Sequence, residues 1–387
     1  MENTVNDLKL LRIRCLNLAL FHDPFEVDFT CKQKTGSKEE GVFHLNSRIS
    51  INTVLAVIGK NASGKTLAVN TAAFALLLLS AEPLNKHKNL ILMAKTGPAV
   101  FEIDFYHAGK FYLLVTALEL HEERLRITEE SLYENPIKKN TAKKNLFNHS
   151  NLKKIDCRDH ADFYLADDIS LMIAFHKKHG SKPLLLHSKQ DFYFDNPSKE
   201  RAEVPAEILH LFDPQIERMT FTARDECKGE LKFYHRDPLP FFNADDLKVL
   251  LSFGTIKGLA LFLQVERVLK NGGYLLADDV ETSLPNALLQ LLLDLFLSPA
   301  VNYKGAVLLF TTHYAEILDH LERKDAVYFT RKAEGLEIIR LAEVLQKSNL
   351  KKSDVYLCGY VSGTAPAFRS IQSVRNYFKD LSIENKP

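Results

Sequence analysis

Along the chain the hydrophobic period switches between two, continuous and helical. Thr53-Val54-Leu55-Ala56-Val57-Ile58 is an unbroken apolar run, short and β-branched, which predicts a strand buried on both faces. Leu67 to Ala81 is also mostly apolar but too long for a strand, which predicts a buried helix. Upstream, Leu8 to Leu20 and Phe25 to Phe29 read as strands joined by a turn containing His22-Asp23-Pro24, and Lys32 to Gly41 reads as a polar loop. Val100 to Tyr106 and Lys110 to Leu118 alternate around His107-Ala108-Gly109, a hairpin pattern that Leu125 to Tyr133 continues as a meander.

Beyond residue 155 the pattern is less regular. Asp167 to Lys177 and Ala206 to Phe212 read as helical, Glu217 to Phe221 and Glu230 to Tyr234 as strands. No heptad repeat runs through this stretch, which excludes a long coiled coil. A helix then follows over Ile256 to Leu269, stopped by Asn271-Gly272-Gly273. Tyr274 to Ala277 is a buried strand, Leu284 to Leu297 a helix and Ala306 to Phe310 another buried strand. Val327 to Phe329 and Leu336 to Leu341 form a hairpin around Ala333-Glu334-Gly335, and the tail from Val355 to Leu381 turns helical toward its end. This order of elements predicts an α/β chain organised as one domain over 1–387. Its parts are an N-terminal lobe at 1–150 with an antiparallel β-subdomain, a partly helical insert at 151–245, a lobe at 246–345 and a tail at 346–387.

Composition narrows the class without choosing a function. A net charge of +1 leaves any attraction to nucleic acid local, and the one local basic run is Lys138 to Lys154, whose bland reading is a solvated loop. The cysteines (Cys15, Cys31, Cys157, Cys227 and Cys358) are scattered and odd in number, which argues against a disulfide framework or a zinc site. The first residues show no basic-then-apolar leader, and the apolar stretch around Ala72 to Leu79 is too short to span a bilayer. A cytoplasmic, non-membrane setting is the expectation.

Between the predicted strand and helix lies Gly59-Lys60-Asn61-Ala62-Ser63-Gly64-Lys65-Thr66, a G-x-x-x-x-G-K-[ST] match in the context that gives it meaning. The glycines allow backbone N–H groups to converge on a phosphate chain at the positive end of a helix. Lys65 is placed to reach the β- and γ-phosphates and the Thr66 hydroxyl to hold Mg²⁺, so a nucleoside triphosphate with Mg²⁺ is the expected ligand. Downstream, two apolar strands end in polar groups. Asp278 is the candidate Mg²⁺ partner and Asp279 the candidate general base for an attacking water. His313 is the candidate contact to the γ-phosphate. Singly, the acid pair reads as a helix cap and the histidine as a surface group; their order after a phosphate loop favours the catalytic reading.

Leu251-Ser252-Phe253-Gly254-Thr255, Leu275-Leu276-Ala277-Asp278-Asp279-Val280-Glu281 and Phe310-Thr311-Thr312-His313 resemble the signature loop, Walker B strand and switch histidine of ABC-type ATPases. Within that class the chain is similar to the AAA-annotated branch of abortive-infection and restriction-linked operons, related to the RecF, SMC and OLD lineage. The phrases Phe101 to Phe105, Glu130 to Tyr133 and Tyr356-Leu357 with Gly359 agree with it. The resemblance implies a P-loop fold of ABC type and a head-to-tail, ATP-dependent homodimer, in which Ser252 and Gly254 of one subunit face the γ-phosphate held on Lys65 of the other. It also implies a separate effector, a nuclease or toxin, since no D-x-D pair suggests a Toprim-type metal site in the chain itself.

The chain departs from the family in ways that bear on turnover. Asp279 stands where the family has glutamate, one methylene longer. No glutamine occurs between Lys65 and Gln190 to serve as the Q-loop residue, and Ala19 stands near the position where relatives carry arginine. Leu284-Pro285-Asn286 replaces the usual Leu-His-Pro. Two readings follow: a slow, dimerising ATPase that drives a defence- or DNA-associated complex, or an ATP-gated switch that holds a partner with little turnover.

Overall fold

The computed structural model describes residues 8–22, 24–36, 39–87, 97–136, 145–158, 165–188, 203–222, 228–282, 284–345, 350–361 and 372–378. The chain starts with β1 (Lys9–Leu16) and β2 (Phe25–Asp28). The strand expected to reach Leu20 stops at Leu16, because Asn17 turns left-handed with φ 60°, a conformation that asparagine adopts more readily than most residues. A short hairpin of β3 (Val42–His44) and β4 (Ser50–Asn52) precedes β5 (Val54–Gly59) and α1 (Lys65–Ser80). Three long strands follow: β6 (Ala99–His107), β7 (Lys110–His121) and β8 (Arg124–Asn135).

The middle of the chain holds β9 (Lys153–Cys157), α2 (Met172–His179), β10 (Leu185–Ser188), α3 (Ala206–Phe212), β11 (Ile216–Phe221), β12 (Gly229–Phe233), β13 (Leu239–Phe241) and α4 (Ala244–Leu250). The helix expected from Asp167 begins only at Met172. Asp168 is committed to a turn, where its backbone carbonyl takes the Leu84 N–H and its carboxylate the Asn85 side chain. The chain continues with α5 (Phe253–Asn271), β14 (Tyr274–Ala277), α6 (Asn286–Leu297), β15 (Val307–Thr312), β16 (Val327–Lys332), β17 (Leu336–Arg340), α7 (Leu341–Val344) and α8 (Lys352–Leu357). Helix α8 begins before the expected tail, and 372–378 is helical as the tail pattern suggested.

Two six-stranded sheets dominate. One, in the order β2-β1-β6-β7-β8-β9, is antiparallel throughout. The other, β10-β14-β15-β5-β16-β17, is parallel except for its last strand. The stretch 151–245 is therefore woven into both: it supplies the edge strand β9 to the first sheet and β10 to the second.

Helix α1 lies between the sheets. Every residue from Thr71 to Ser80 is buried, as a helix apolar on all sides requires. Alternate residues of β5 divide the core. Leu55 and Val57 join α1 and the antiparallel sheet, whereas Val54, Ala56 and Ile58 join the layer formed by α5 and α6. A strand buried on both faces explains why its sequence reads as one apolar run instead of alternating. Glu130 of β8 ties the start of α2 to the meander: its carboxylate accepts the Thr116 and Ser170 hydroxyls at 2.9 and 2.7 Å and the Leu171 N–H at 2.7 Å. Burial pushes the Glu130 pKa up against those hydrogen bonds. The result is an α/β fold with several sheets, in which a parallel sheet carries the phosphate-loop motif. Among the described residues no helix is long and apolar enough to cross a membrane.

Candidate functional site

Three neighbouring parallel strands end at one edge of the second sheet. In sheet order, β14 runs out into Asp278 and Asp279, β15 into His313, and β5 into the Gly59–Lys65 loop. Residues far apart in sequence meet here because parallel register aligns Ala277 with Phe310 and Thr312 with Ile58. Clefts at the carboxyl ends of parallel strands are where open α/β sheets bind ligands.

Ala62 and Gly64 both take positive φ, 61° and 96°, so the chain coils ahead of α1. Gly59 must be glycine for a packing reason, since a Cβ there would lie 2.1 Å from Thr330 Oγ1 and 2.3 Å from Ser63 Oγ. The Ser63 and Thr330 hydroxyls are themselves 2.6 Å apart, which ties the loop to the end of β16. Helix α1 has no side-chain cap at Gly64 and no acidic residue in its first turn. Its leading N–H groups and positive dipole end therefore suit an anion.

Lys65 is only 6% exposed, and its Nζ donates to the carbonyls of Gly59 and Lys60 at 3.1 and 3.2 Å. Burial lowers its pKa, partly offset by the carboxylates of Asp279, Asp278 and Glu281. Asn61, Ala62 and Thr66 are exposed. Beside the loop lies a cavity of about 400 Å³, lined by the apolar Leu18, Leu20, Phe21 and Leu336 together with Gly64, Lys65, Thr66 and Asn70. An apolar wall next to a phosphate-type loop offers a nucleobase a surface to lie against.

Across the cleft, Thr311 organises the acids. Its hydroxyl accepts the Asp279 N–H and donates to Asp278 Oδ1, both at 2.6 Å. Asp279 has φ 44°, a left-handed backbone, and its Oδ1 lies 3.5 Å from His313 Nε2. The His313 backbone N–H donates to Glu281 Oε1 at 2.6 Å. Of the residues expected from the sequence, Lys65, Asp278, Asp279 and His313 thus come together at this edge of the sheet. Thr311 and Thr330 were not expected there. The only sequence trace of Thr311 is the Thr-Thr pair before His313, and Thr330 has none.

Ser252 and Gly254 stand at the start of α5. Ser252 caps that helix, its Oγ accepting the Thr255 N–H at 3.1 Å. A Cβ on Gly254 would meet nothing closer than Ser252 Oγ at 3.9 Å, so this end of the helix faces open space. Of the basic run, Lys153 and Lys154 lie exposed on β9, while Lys138, Lys139, Lys143 and Lys144 fall outside the described residues.

No family model matches this chain, and no curated protein matches it. Among solved structures, the chain is similar to one described as a crystal structure of the SmcHead bound to the C-winged helix domain of ScpA. The match covers 88% of this chain and 100% of that chain, at 10% sequence identity and a TM-score of 0.46. A likeness that distant decides neither activity nor partner, and the functional reading rests on the cleft.

Proposed function

We propose that this chain is an ABC-type ATPase that binds ATP with Mg²⁺, dimerises around the nucleotide and hydrolyses it slowly. One observation carries the reading: the ends of β5, β15 and β14, adjacent in a parallel sheet, bring a phosphate-loop motif, a histidine and an acid pair side by side at the same edge. The residues fit the nucleotide. The uncapped N-terminus of α1 and the Lys65 ammonium would hold the phosphates, and the apolar wall of Leu18, Phe21 and Leu336 would take the base. Thr66 and Asp278 would hold Mg²⁺, which when bound neutralises phosphate charge.

Asp279 would accept a proton from the attacking water, and His313, 3.5 Å from its carboxylate, would bear on the γ-phosphate. Ser252 and Gly254, at an open helix N-terminus, would complete the site of a second copy. A separate effector, nuclease or toxin, would then be driven or gated by that pairing, and any nucleic acid would be met through the 138–154 run, of which Lys153 and Lys154 lie exposed on β9.

The alternative is an ATP-gated binding switch with little turnover. The short Asp279 side chain favours it, because its carboxylate already lies 3.4 Å from the Thr311 hydroxyl and beside His313. Steady-state phosphate release by the purified chain, set against a titration of ATP binding, separates the two. The ATPase releases phosphate continuously; the switch binds ATP and leaves it intact. In either case Lys65→Ala should abolish ATP binding, and equal affinity in wild type and variant in a calorimetric titration would overturn the nucleotide site itself.

A further inference from the structure

Asp279, Glu281 and His313 meet at the mouth of the cleft from the ends of β14 and β15. One carboxylate oxygen from each acid and one imidazole nitrogen all lie within 4.8 Å of one another. His313 Nε2 is already 3.5 Å from Asp279 Oδ1. A four-coordinate metal bound at about 2.1 Å holds its ligands roughly 3.4 Å apart, so this pair is at coordination spacing already. Glu281 completes the group within the same 4.8 Å.

A second observation points to a ligand. Glu281 uses Oε1 to accept the His313 N–H at 2.6 Å. Its Oε2 is shut off from solvent and has no hydrogen-bond partner among the described residues. A buried carboxylate oxygen is costly to leave unpaired, and it asks for a donor or a cation. The hydrogen bond through Oε1 also fixes Glu281 against the residue that carries the imidazole. Two of the three ligands are thereby held together before any ion arrives.

We propose that Asp279, Glu281 and His313 form a binding site for a first-row transition-metal dication, with Zn²⁺ the best match, that fills in the absence of nucleotide. One nitrogen and two carboxylate ligands, with a fourth position left for water, suit Zn²⁺ better than Mg²⁺, which prefers oxygen ligands in an octahedron. This position is separate from the Mg²⁺ expected with nucleotide on Thr66 and Asp278. Its consequence is inhibitory: the ion engages Asp279 and His313, the two groups proposed to act in hydrolysis, and holds the chain in a resting form.

The test uses the full chain, stripped with chelator and free of nucleotide, with Co²⁺ as the spectroscopic stand-in for Zn²⁺. The expected result is one Co²⁺ per chain, with the intense visible absorption of a low-coordinate site and displacement by Zn²⁺. Glu281→Gln and His313→Ala should each weaken binding at least tenfold, whereas Thr66→Ala should leave it unchanged. Equal affinity in wild type and both variants, or no visible band at saturation, overturns the proposal. Binding that requires added ATP and is lost in Thr66→Ala overturns it too, and assigns the ion to the nucleotide. Because the readout needs no ATP, failure here leaves the nucleotide reading standing.

Discussion

Thr311 is the residue on which the acid pair depends, and replacing it by valine isolates one oxygen. The two side chains have the same shape, so Thr311→Val removes a hydroxyl from a fully buried position without opening a cavity. Two short hydrogen bonds go with it, the one received from the Asp279 N–H and the one given to Asp278 Oδ1, each 2.6 Å long, together with a longer contact to Asp279 Oδ1 at 3.4 Å. A charge-assisted hydrogen bond contributes about 1.5–3 kcal/mol, and a buried N–H left unpaired costs about 1–3 kcal/mol. Both aspartates are partly open to water, which can replace some of the loss, so a net cost of about 2 kcal/mol is expected. For a chain of 387 residues, at about 2 cal/mol/K of unfolding entropy per residue, that lowers the melting temperature by about 2–3 °C.

The effect on chemistry should be larger than so small a shift suggests. If the same 2 kcal/mol falls on positioning the carboxylates in the transition state, phosphate release drops roughly thirtyfold. Calorimetric melting and a coupled phosphate assay read the two quantities on one preparation. Thr311→Ser keeps the hydroxyl and should recover most of the rate. Wild-type hydrolysis in Thr311→Val would refute the role given to this hydroxyl. A collapse in melting of 10 °C or more would refute the magnitude, which assumes a local loss.

Gly254→Glu should block ATP-driven dimerisation, because the helix end has open space for a side chain and a carboxylate there would repel the partner's γ-phosphate. An acid in the first turn of α5 also suits the helix dipole, so the monomer should melt no lower; light scattering with ATP and Mg²⁺ that still shows a dimer would count against the head-to-tail pairing. Asp279→Asn should remove hydrolysis while keeping ATP binding, and full-rate phosphate release from it would move the base to Glu281. Asp279→Glu should hydrolyse at least as fast as wild type but lose about 1 kcal/mol of stability in urea titration, because φ 44° is a left-handed backbone that aspartate tolerates better than longer side chains. Gly258→Val should cost about 1–3 kcal/mol in the same titration, since a Cβ there would lie 2.0 Å from the Phe212 ring; an unchanged midpoint would mean that α3 and α5 do not pack as described.

What could be read from the sequence was whatever is local. The phosphate loop is a contiguous string between a continuous apolar strand and an apolar helix, and both neighbours are buried for reasons visible in their own composition. The ends of β14 and β15 were legible too, because an apolar run that stops at Asp278 or His313 places a polar group at a strand terminus. The sequence does not state sheet order. That β15 lies between β14 and β5, and so sets a threonine under both acids, follows from long-range pairing.

The elements that the sequence did not announce have the same cause. Leu185–Ser188 is too short to announce itself as a strand, and it forms only because β14 offers a free parallel edge. Lys153–Cys157, exposed throughout and mostly polar, becomes a strand by pairing with β8. Ser252 caps α5, and the nucleotide contact proposed for it would use the same helix N-terminus. Asp279 is a related case. Its side chain is short for a general base, but the left-handed backbone and the Thr311 anchor turn the carboxylate toward His313. On the proposed reading, whether the chain would hydrolyse ATP or only hold it depends on the direction of this carboxylate as well as its length, which is why its backbone matters to that proposal.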